Sequence, residues 1–342
     1  MSETVKRVTC VTPGEFRNEE TVLGELKPSE VVVGIKRIGI CGTDLHAFAG
    51  NQPFFTYPRV LGHELAGEAL EVGSAVAEIR RGDRLLILPY ITCGSCVACL
   101  QGKTNCCTTM NVLGVHSDGG MQEKIILPAS ILLSLNDLEY EQIALIEPLA
   151  IGAHALCRAE VTEAHTIVVV GCGPIGIGII AQAKAKGARV IAIDMQESRL
   201  DFVRANLEVS DLVRAGSDAV QQVKDLTAGN LADIVFDATG NKKALESGPE
   251  YMAHGGKFIL VGLFKGELSF HHPALHAKEA SVLSSRNATR ADFLSVISFL
   301  RNGVFAHDQF ITHTASFDKL IDDFPQWTDA ANGVIKAMVT VG

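Results

Sequence analysis

The sequence predicts an α/β protein with two domains, one rich in β-strands and the other built on a doubly wound parallel sheet. The chain has 342 residues, which is more than a single hydrophobic core usually serves. Up to about residue 150 it contains short β-rich runs between glycines and prolines, at 31–35, 64–72 and 83–88. From about residue 165, apolar strands alternate with helical stretches, which is typical of a parallel sheet with helices on both faces.

This alternation predicts the second domain element by element. Its strands are Thr166–Val170, Arg189–Ile193, Ile234–Asp237, Lys257–Val261 and a short one near Ser281–Ser284. Its helices are Ile175–Lys186, Glu197–Ala205, Ala219–Thr227 and Lys243–Met252, and a further helix at Ala291–Arg301 precedes the tail. The pattern leaves open whether this domain follows the first one or is inserted between two parts of it.

Composition and charge exclude several classes of protein. The 30 lysines and arginines are outnumbered by 39 aspartates and glutamates, for a net charge of −9, so we expect no nucleic-acid partner. Residues 1–7 are charged and no apolar block follows them, which argues against a signal peptide. The charge-free stretch 166–183 has the length of a membrane span, but its glycines and Pro174 divide it into a strand, a turn and a helix. We therefore expect a cytoplasmic protein without a membrane partner.

A glycine-rich turn opens the second domain. The first strand runs into Gly171-Cys-Gly-Pro-Ile-Gly176, a G-x-G-x-x-G pattern. Gly171 permits the tight turn, Gly173 lets the backbone approach a pyrophosphate, and Gly176 allows the helix to pack closely on the strand. Pro174 and Ile175 begin a helix whose free N–H groups are available to the phosphates. The turn therefore predicts a dinucleotide site.

Asp194, at the end of the next strand, predicts which dinucleotide is bound. A carboxylate at this position accepts hydrogen bonds from both ribose hydroxyls and repels a 2′-phosphate, so we expect NAD rather than NADP. We assign Arg199, Val261 and Gly262 to the same cofactor site. The alternative is a glycine turn that is merely followed by an exposed aspartate.

Five of the nine cysteines lie between residues 93 and 107. In a chain without a secretory signal, clustered cysteines bind metal more often than they form disulfides. The spacing of Cys93, Cys96, Cys99 and Cys107 suits a tetrahedral zinc with four thiolate ligands, which is a closed site with a structural role. Cys106 is the alternative to Cys107 as the fourth ligand. An iron–sulfur cluster is disfavoured, because the ferredoxin pattern has a shorter last gap followed by proline.

Three separate segments carry candidate ligands for a second metal. They contain Cys41, the adjacent His63 and Glu64, and Glu147 within the apolar run 143–150. A carboxylate inside an apolar run must be exposed, paired or metal-bound, because burying it bare is costly. Together these residues predict an open zinc site with three protein ligands. Glu64 either binds the zinc directly or supports a ligand.

These motifs, in this order, resemble the zinc-containing medium-chain dehydrogenase/reductase family. The resemblance is carried by GICGTD at 39–44, GHE at 62–64, the four-cysteine lobe and the G-x-G-x-x-G–Asp pair. It implies a GroES-like catalytic domain at 1–150 and 287–342, with the zinc lobe at about 90–110, and a Rossmann NAD-binding domain at 151–286. It also implies two zinc ions per chain, and NAD as cofactor.

With a glutamate at position 147, the chain resembles the polyol branch of the family, which includes sorbitol dehydrogenase. Classical alcohol dehydrogenases carry a cysteine at this position. The segments 51–63, 237–241, 261–267 and 285–289 look most like bacterial L-galactonate oxidoreductases, which oxidise the C5 hydroxyl of a sugar acid. The resemblance therefore implies a zinc-dependent dehydrogenase that transfers a hydride from a secondary alcohol of a sugar acid or polyol to NAD. Sorbitol- or xylitol-type polyol dehydrogenases and L-threonine dehydrogenases are the alternatives.

The resemblance also assigns roles to single residues. It implies a proton relay through Thr43 and a ribose hydroxyl to His46, for which the alternative is an ordinary surface histidine. Arg286 and Lys265 are the candidates for binding a substrate carboxylate, because both lie just beyond strand ends, where ligands bind in such folds. Arg286 is the first choice, since a guanidinium pairs with a carboxylate in bidentate fashion, unless it serves a domain interface. Members of this family are dimers or tetramers, so a homodimer or homotetramer is expected.

Two other kinds of function remain as alternatives. A binding protein that kept the fold but lost turnover is expected to have lost at least one metal ligand or Asp194. An NADPH quinone reductase of the same fold works without zinc, and the two complete metal sites and Asp194 argue against it.

Overall fold

The computed structural model describes residues 3–52, 55–303 and 305–342. Outside them lie Met1, Ser2, Pro53 and Phe54, to which the expectations for 1–7 and 51–63 extend, and Val304. The chain divides into two compact units. Unit 1 comprises Met1–Glu147 and His307–Gly342, and unit 2 comprises Pro148–Ala306.

The strands and helices are numbered in chain order. Strands β1 to β10 are Thr4–Thr12, Glu15–Val22, Glu30–Ile40, Arg59–Val60, Glu64–Val72, Arg84–Ile87, Tyr90–Ile91, Asn111–Val112, Lys124–Pro128 and Leu132–Ser134. Strands β11 to β18 are Thr166–Val170, Arg189–Asp194, Asp211–Arg214, Ala232–Asp237, Met252–Leu260, Ser281–Ser284, Ile311–Ser316 and Lys336–Thr340. Helices α1 to α6 are Gly42–Phe48, Val97–Leu100, Tyr140–Ala159, Pro174–Ala185, Glu197–Leu207 and Ala219–Leu226. Helices α7 to α11 are Lys242–Ser247, His272–Ala277, Arg290–Arg301, His307–Phe310 and Leu320–Trp327. No helix in the described part of the chain is both long enough and apolar enough to cross a bilayer.

The main sheet of unit 1 brings the ends of three strands together. Its strand order is β10-β6-β5-β3-β18-β17, with β9 also paired to β3. Strand β3 is rich in valine and isoleucine and largely buried, as expected of a central strand. In the register of this sheet Gly39 of β3 lies opposite Glu64 of β5, and Ile40 lies opposite Ala337 of β18. The end of β3, just before Cys41, is therefore flanked on both sides by strands that can carry site residues.

Unit 2 contains a six-stranded parallel sheet with the order β13-β12-β11-β14-β15-β16. This is the order of a dinucleotide-binding sheet, in which β11 is the first strand and the order reverses between β11 and β14. Strand β11 is a run of isoleucine and valine that is buried from Ile167 onward. The predicted α/β fold class with a parallel sheet is confirmed.

Two elements of unit 2 differ from the sequence prediction. Strand β13 was not predicted, because it has four residues with Asp211 and Arg214 at its ends, and only Val213 is fully buried. The helix predicted at Lys243–Met252 ends at Ser247, and a 3-10 turn containing Pro249 follows. A proline lacks the N–H that the next helical hydrogen bond needs, so the chain leaves the helix and begins β15.

Residues 287–306 belong to unit 2, whereas the resemblance assigned them to the first domain. Helix α9 begins here with Thr289 as its N-cap and Asp292 completing a capping box. The same Asp292 carboxylate lies 2.9 Å from Nδ1 of His154, on the unit 2 part of α3. Phe293 and Val296 on α9 are fully buried. These contacts hold α9 in unit 2, which runs from Pro148 to Ala306. The domain bounds at residues 150 and 287 stay a prediction.

Candidate metal centres and cofactor site

Four cysteines converge in a lobe of unit 1 that is built around the β7–β8 pair. The ligand atoms of Cys93, Cys96, Cys99 and Cys107, the thiolate group, all lie within 4.8 Å of one another. Sγ of Cys93 is 3.5 Å from Sγ of Cys107 and 4.0 Å from Sγ of Cys99. Sulfurs around a tetrahedral zinc lie about 3.8 Å apart, given Zn–S bonds of about 2.3 Å. Cys106 is exposed and stands outside the group, so the geometry favours Cys107 as the fourth ligand.

The local environment shifts the pKa values of these thiols in opposite directions. Hydrogen bonds from the backbone of Ser95 and of Cys96 lower the pKa of the Cys93 thiol to about 5. The backbone of Thr108 is the first cause that lowers the pKa of Cys96 to about 7. The pKa of Cys99 rises to about 12 through desolvation and its sulfur neighbours. The pKa values of Cys93 and Cys96 are thus lowered and that of Cys99 is raised within one group of sulfurs, and a bound cation would favour the thiolate form of Cys99.

A second group of ligand atoms forms where β3 and β5 meet. The ligand atoms of Cys41, His63 and Glu64, the open group, lie within 4.8 Å of one another. Cys41 directly follows β3 and is the N-cap of α1, and Glu64 begins β5. His63 and Glu64 are buried. A thiol, an imidazole and a carboxylate are the donor types that zinc takes in catalytic sites.

Asp44 is a buried carboxylate that supports the open group and that the sequence analysis did not select. It accepts hydrogen bonds from the backbone N–H of Cys41 at 2.9 Å and of Gly62 at 3.2 Å. Its Oδ1 lies 3.7 Å from Nδ1 of His63, a buried nitrogen without a hydrogen-bond partner among the described residues. Burial raises the pKa of Asp44. A carboxylate beside a ligand histidine orients the ring and strengthens its metal bond, which fits a bound metal here.

Glu147 lies in the middle of α3 and is not part of the open group. Only 3% of it is exposed, and its Oε1 accepts a hydrogen bond from the Tyr90 hydroxyl. Desolvation raises the pKa of Glu147 to about 6, while the charge of His63 opposes the shift. Glu147 therefore lies near enough to the open group to interact with it. Tyr90 was missed because nothing in its local sequence marks it.

Lys336 is the third site residue that the sequence analysis missed. It is 1% exposed, and its Nζ donates to both carboxylate oxygens of Glu64, each at 2.7 Å. The strands permit this because residue 39 is a glycine, whose added Cβ would stand 2.1 Å from Oε2 of Glu64. The sequence does mark Lys336, as a lone lysine between Ile335 and Ala337 in an apolar run. The cost of burying a bare charge, which singled out Glu147, applies to this lysine as well.

Thr43 and His46, the predicted relay residues, lie on helix α1. They are three residues apart and therefore on neighbouring positions of one helix face. Thr43 is half-buried and His46 is exposed.

The glycine loop of unit 2 has the shape that a pyrophosphate requires. Gly171 has φ +95, and a Cβ at Gly176 would stand 1.8 Å from the backbone oxygen of Gly171, so neither position accepts a side chain. A Cβ at Gly173 would meet nothing within 4 Å, which leaves open space before helix α4. Pro174 is the first residue of that helix and Ile175 the second. The loop therefore fits a dinucleotide.

Asp194 ends β12 beside this loop. Its Oδ2 accepts the backbone N–H of Cys172 at 2.7 Å, and its Oδ1 accepts that of Gln196 at 2.8 Å. The charge of Asp194 also acts on Arg199, whose pKa is lowered by burial.

The remaining predicted residues of unit 2 follow the strand ends. Val261 and Gly262 come directly after β15, and a Cβ at Gly262 would stand 2.1 Å from the backbone nitrogen of Gly240. Lys265 and Arg286 are both exposed. Arg286 lies two residues beyond the end of β16.

Comparison with known proteins identifies the family. Residues 27–137 match the alcohol dehydrogenase GroES-like domain, and residues 174–302 match the zinc-binding dehydrogenase domain. L-galactonate-5-dehydrogenase of Escherichia coli K12 is 40% identical over 337 residues, which cover 98% of this chain and 99% of that protein. Sorbitol dehydrogenase of Bacillus subtilis 168 is 30% identical over 333 residues, 95% of this chain and 94% of the relative. An alcohol dehydrogenase of E. coli CFT073, solved in complex with NADH, superposes with a TM-score of 0.92 at 28% identity, covering 98% of this chain and 99% of that one.

These matches span both units and confirm the predicted family and the expectation of an enzyme. They agree with the chemistry of the two cysteine-containing groups and of the glycine loop. The chain belongs to the zinc-containing medium-chain alcohol dehydrogenase family and is a zinc-dependent, NAD(H)-linked oxidoreductase.

Proposed function

We propose that this enzyme oxidises a secondary alcohol of a sugar acid with NAD, in the manner of an L-galactonate 5-dehydrogenase. The observation that carries the proposal is the open group, where a thiol, an imidazole and a carboxylate lie within 4.8 Å. The sugar-acid substrate is supported by the 40% identity to L-galactonate-5-dehydrogenase over nearly the whole chain. A neutral polyol is the second candidate, favoured by the 30% identity to sorbitol dehydrogenase.

Each chain is proposed to hold two zinc ions. The thiolate group holds one in a closed site, and the open group holds the other with Glu147 as a further ligand or neighbour. When bound, the second zinc acts as a Lewis acid that favours deprotonation of a hydroxyl. Glu64 is proposed to bind the metal directly, because its carboxylate belongs to the open group.

The chain's own residues remove the proton. The Thr43 hydroxyl both donates and accepts hydrogen bonds, so it can pass a proton along. The imidazole of His46 is exposed, so it can accept the proton and release it to water. Tyr90 holds Glu147 by a hydrogen bond, and the Asp44 carboxylate lies beside the ring of His63, so both are proposed to keep the groups around the reacting hydroxyl fixed.

Arg286 is proposed to bind the carboxylate of the sugar acid, which makes the substrate class testable. Activity is measured as NADH formation on L-galactonate and on a neutral polyol of similar length. In Arg286→Ala we expect activity on the sugar acid to fall by about 30-fold or more, because a charge-assisted pair is worth about 2–5 kcal/mol. Activity on the polyol is expected to change little.

The control is Arg290→Ala, which removes an exposed arginine four residues away at the start of α9. It should leave both activities near wild type. Equal losses on both substrates in Arg286→Ala, or a wild type that prefers the polyol, would reject the sugar acid and leave a polyol dehydrogenase. Absence of NADH formation on every sugar acid and polyol tried would reject the proposed function as a whole.

NAD is proposed to be preferred over NADP because of Asp194. Its carboxylate repels a 2′-phosphate, so Asp194→Ser should narrow the ratio of kcat/KM for NAD to that for NADP by about tenfold or more. Steady-state kinetics with both cofactors measures the ratio, and Asp201→Ser on the exposed face of α5 is the control. A ratio that stays at the wild-type value would place the discrimination elsewhere, with Arg199 as the next residue to test.

The chain is also proposed to form a homodimer or homotetramer, as its resemblance to the family implies. Strand β16 pairs with β15 on one side and ends the sheet of unit 2 on the other, and Val282 on it is 37% exposed. Such an edge offers unpaired backbone groups to a second copy. Light scattering of the purified protein gives the mass, and a monomer at micromolar concentration would contradict the proposal.

A further inference from the structure

The three hydrogen-bond donors of Lys336 are all used at the open group. An ammonium has three N–H donors. Two of them meet the oxygens of Glu64 at 2.7 Å, and the third meets the backbone oxygen of Ile40 at 3.1 Å. Ile40 immediately precedes Cys41, so one ammonium is tied both to the carboxylate of the group and to the strand end that carries its thiol.

The sheet of unit 1 is built around this contact. Strands β18, β3 and β5 are neighbours, and the glycine at position 39 leaves the space that the Glu64 carboxylate occupies. The pair is sealed from water, since Lys336 is 1% exposed and Glu64 is 0% exposed. Its geometry is therefore fixed by three strands rather than by flexible loops.

Stability alone does not account for this lysine. Replacing a buried ion pair with apolar residues of similar volume is often neutral or stabilising. Ile335, Ala337 and Met338 around it are buried and apolar, so an apolar residue would continue the strand. The ammonium also acts electrostatically on Cys41 and Glu147, which places its charge among the groups that would face a metal.

We propose that Lys336 is a positioning residue of the open group, which fixes the Glu64 carboxylate and weakens the hold of the site on its metal. The inference rests on the proposed function, which requires a dication at Cys41, His63 and Glu64. A dication and an ammonium repel each other, and the repulsion is strong over a few ångströms in a poorly solvated interior. Because Glu64 shares its charge with Lys336, it neutralises the metal less completely, and the metal stays a stronger Lewis acid.

The direction in which the rate of zinc release changes on loss of Lys336 distinguishes a positioning role from a purely structural one. In Lys336→Met the carboxylate loses the one ammonium that pairs with it among the described residues, and the metal gains the full charge of Glu64. We expect zinc to leave the open group at least tenfold more slowly when a chelating dye captures it. A lysine that only maintained the fold would, when lost, loosen the site and speed the release.

Three further variants complete the experiment. Lys336→Arg keeps the charge and should release zinc at close to the wild-type rate. Lys278→Met removes a lysine whose Nζ is tied to two backbone oxygens in unit 2, and it should leave the release unchanged. Cys41→Ala lacks the open group, so its release trace belongs to the thiolate group alone and is subtracted from the others.

Cobalt(II) in place of zinc gives a second measurement that does not depend on activity. The visible d–d bands respond to the ligands around the ion, so Lys336→Met should shift them while Lys336→Arg should not. Release in Lys336→Met that is unchanged or faster than in wild type, or bands that stay in place, would overturn the inference.

Two safeguards keep the outcomes separate. If Lys336→Met does not fold, because Glu64 is then buried without its partner, the pair Glu64→Gln and Glu64→Gln/Lys336→Met is compared instead. The double variant should still release zinc more slowly than the single one. If wild type and Cys41→Ala release zinc identically, the open group holds no metal and the proposed function fails together with the inference. If they differ and the Lys336 variants do not, only the inference fails.

Discussion

Replacing Cys93 with serine is expected to remove one zinc per chain and to unfold the cysteine lobe. Cys93 contacts two other sulfurs of the thiolate group, Cys99 and Cys107. Zinc binding to small four-ligand sites contributes about 10–16 kcal/mol in peptides at neutral pH, whereas a whole domain is stable by only about 5–15 kcal/mol. We therefore expect the melting temperature to fall by about 10 °C or more, and metal analysis to find one zinc fewer.

Cys106→Ser is the matched control, because it removes a neighbouring thiol that lies outside the thiolate group. It should keep both zinc ions and the wild-type melting temperature. The assignment of Cys107 rather than Cys106 would be wrong if Cys106→Ser lost a zinc and Cys107→Ser kept it. Zinc content that stays constant in Cys93→Ser would show that the lobe holds no metal.

Glu147→Ala is expected to lower kcat/KM by about 100- to 1000-fold, equivalent to about 3–4 kcal/mol in the barrier. The side chain is buried beside the open group and held by Tyr90, so its charge has few other partners. The fold should persist, because alanine is the residue that favours a helix most. Steady-state kinetics and circular dichroism measure the two effects.

Glu141→Ala on the same helix is the control, since that carboxylate pairs with Arg37 rather than with the open group. Tyr90→Phe should give an intermediate loss, because Glu147 keeps its charge but loses the hydrogen bond that orients it. Near-normal turnover and zinc content in Glu147→Ala would make this carboxylate a bystander, and the argument for the polyol branch would weaken.

The parts of the site that the sequence predicted are those with a local signature. The glycine loop and the cysteine lobe were readable because their residues are close in sequence and each spacing has one physical reason. The parallel sheet was predictable from its apolar strands. Strand β13 is the exception, because it is short and has a charged residue at each end. Glu147 was singled out by its apolar surroundings, although the helix that carries it was not predicted, and its role as a zinc ligand stays a prediction.

The sequence did not predict the side-chain pairs that form between strands far apart in the chain. Lys336 and Glu64 are 272 positions apart, and only the order β5-β3-β18 shows that they meet. The contacts that hold residues 287–306 in unit 2 are likewise made between residues that are far apart in the sequence. Helix α9 packs in unit 2 through its buried face and through the contact between Asp292 and His154. The sequence around either of these two residues gives no sign of the other.

Gly39 shows how a residue without a functional group can be as sensitive to substitution as a ligand. The smallest possible addition, a methyl group, would occupy the position of the Glu64 carboxylate, 2.1 Å from its Oε2. The backbone of β3 at Gly39 thus packs directly against the Glu64 carboxylate of the open group. In a screen that scores every substitution by activity, position 39 would rank with Cys41 and His63 although it touches no substrate, metal or proton. Its intolerance would report the space that the carboxylate needs, and a list of catalytic residues drawn from such a screen should set it apart.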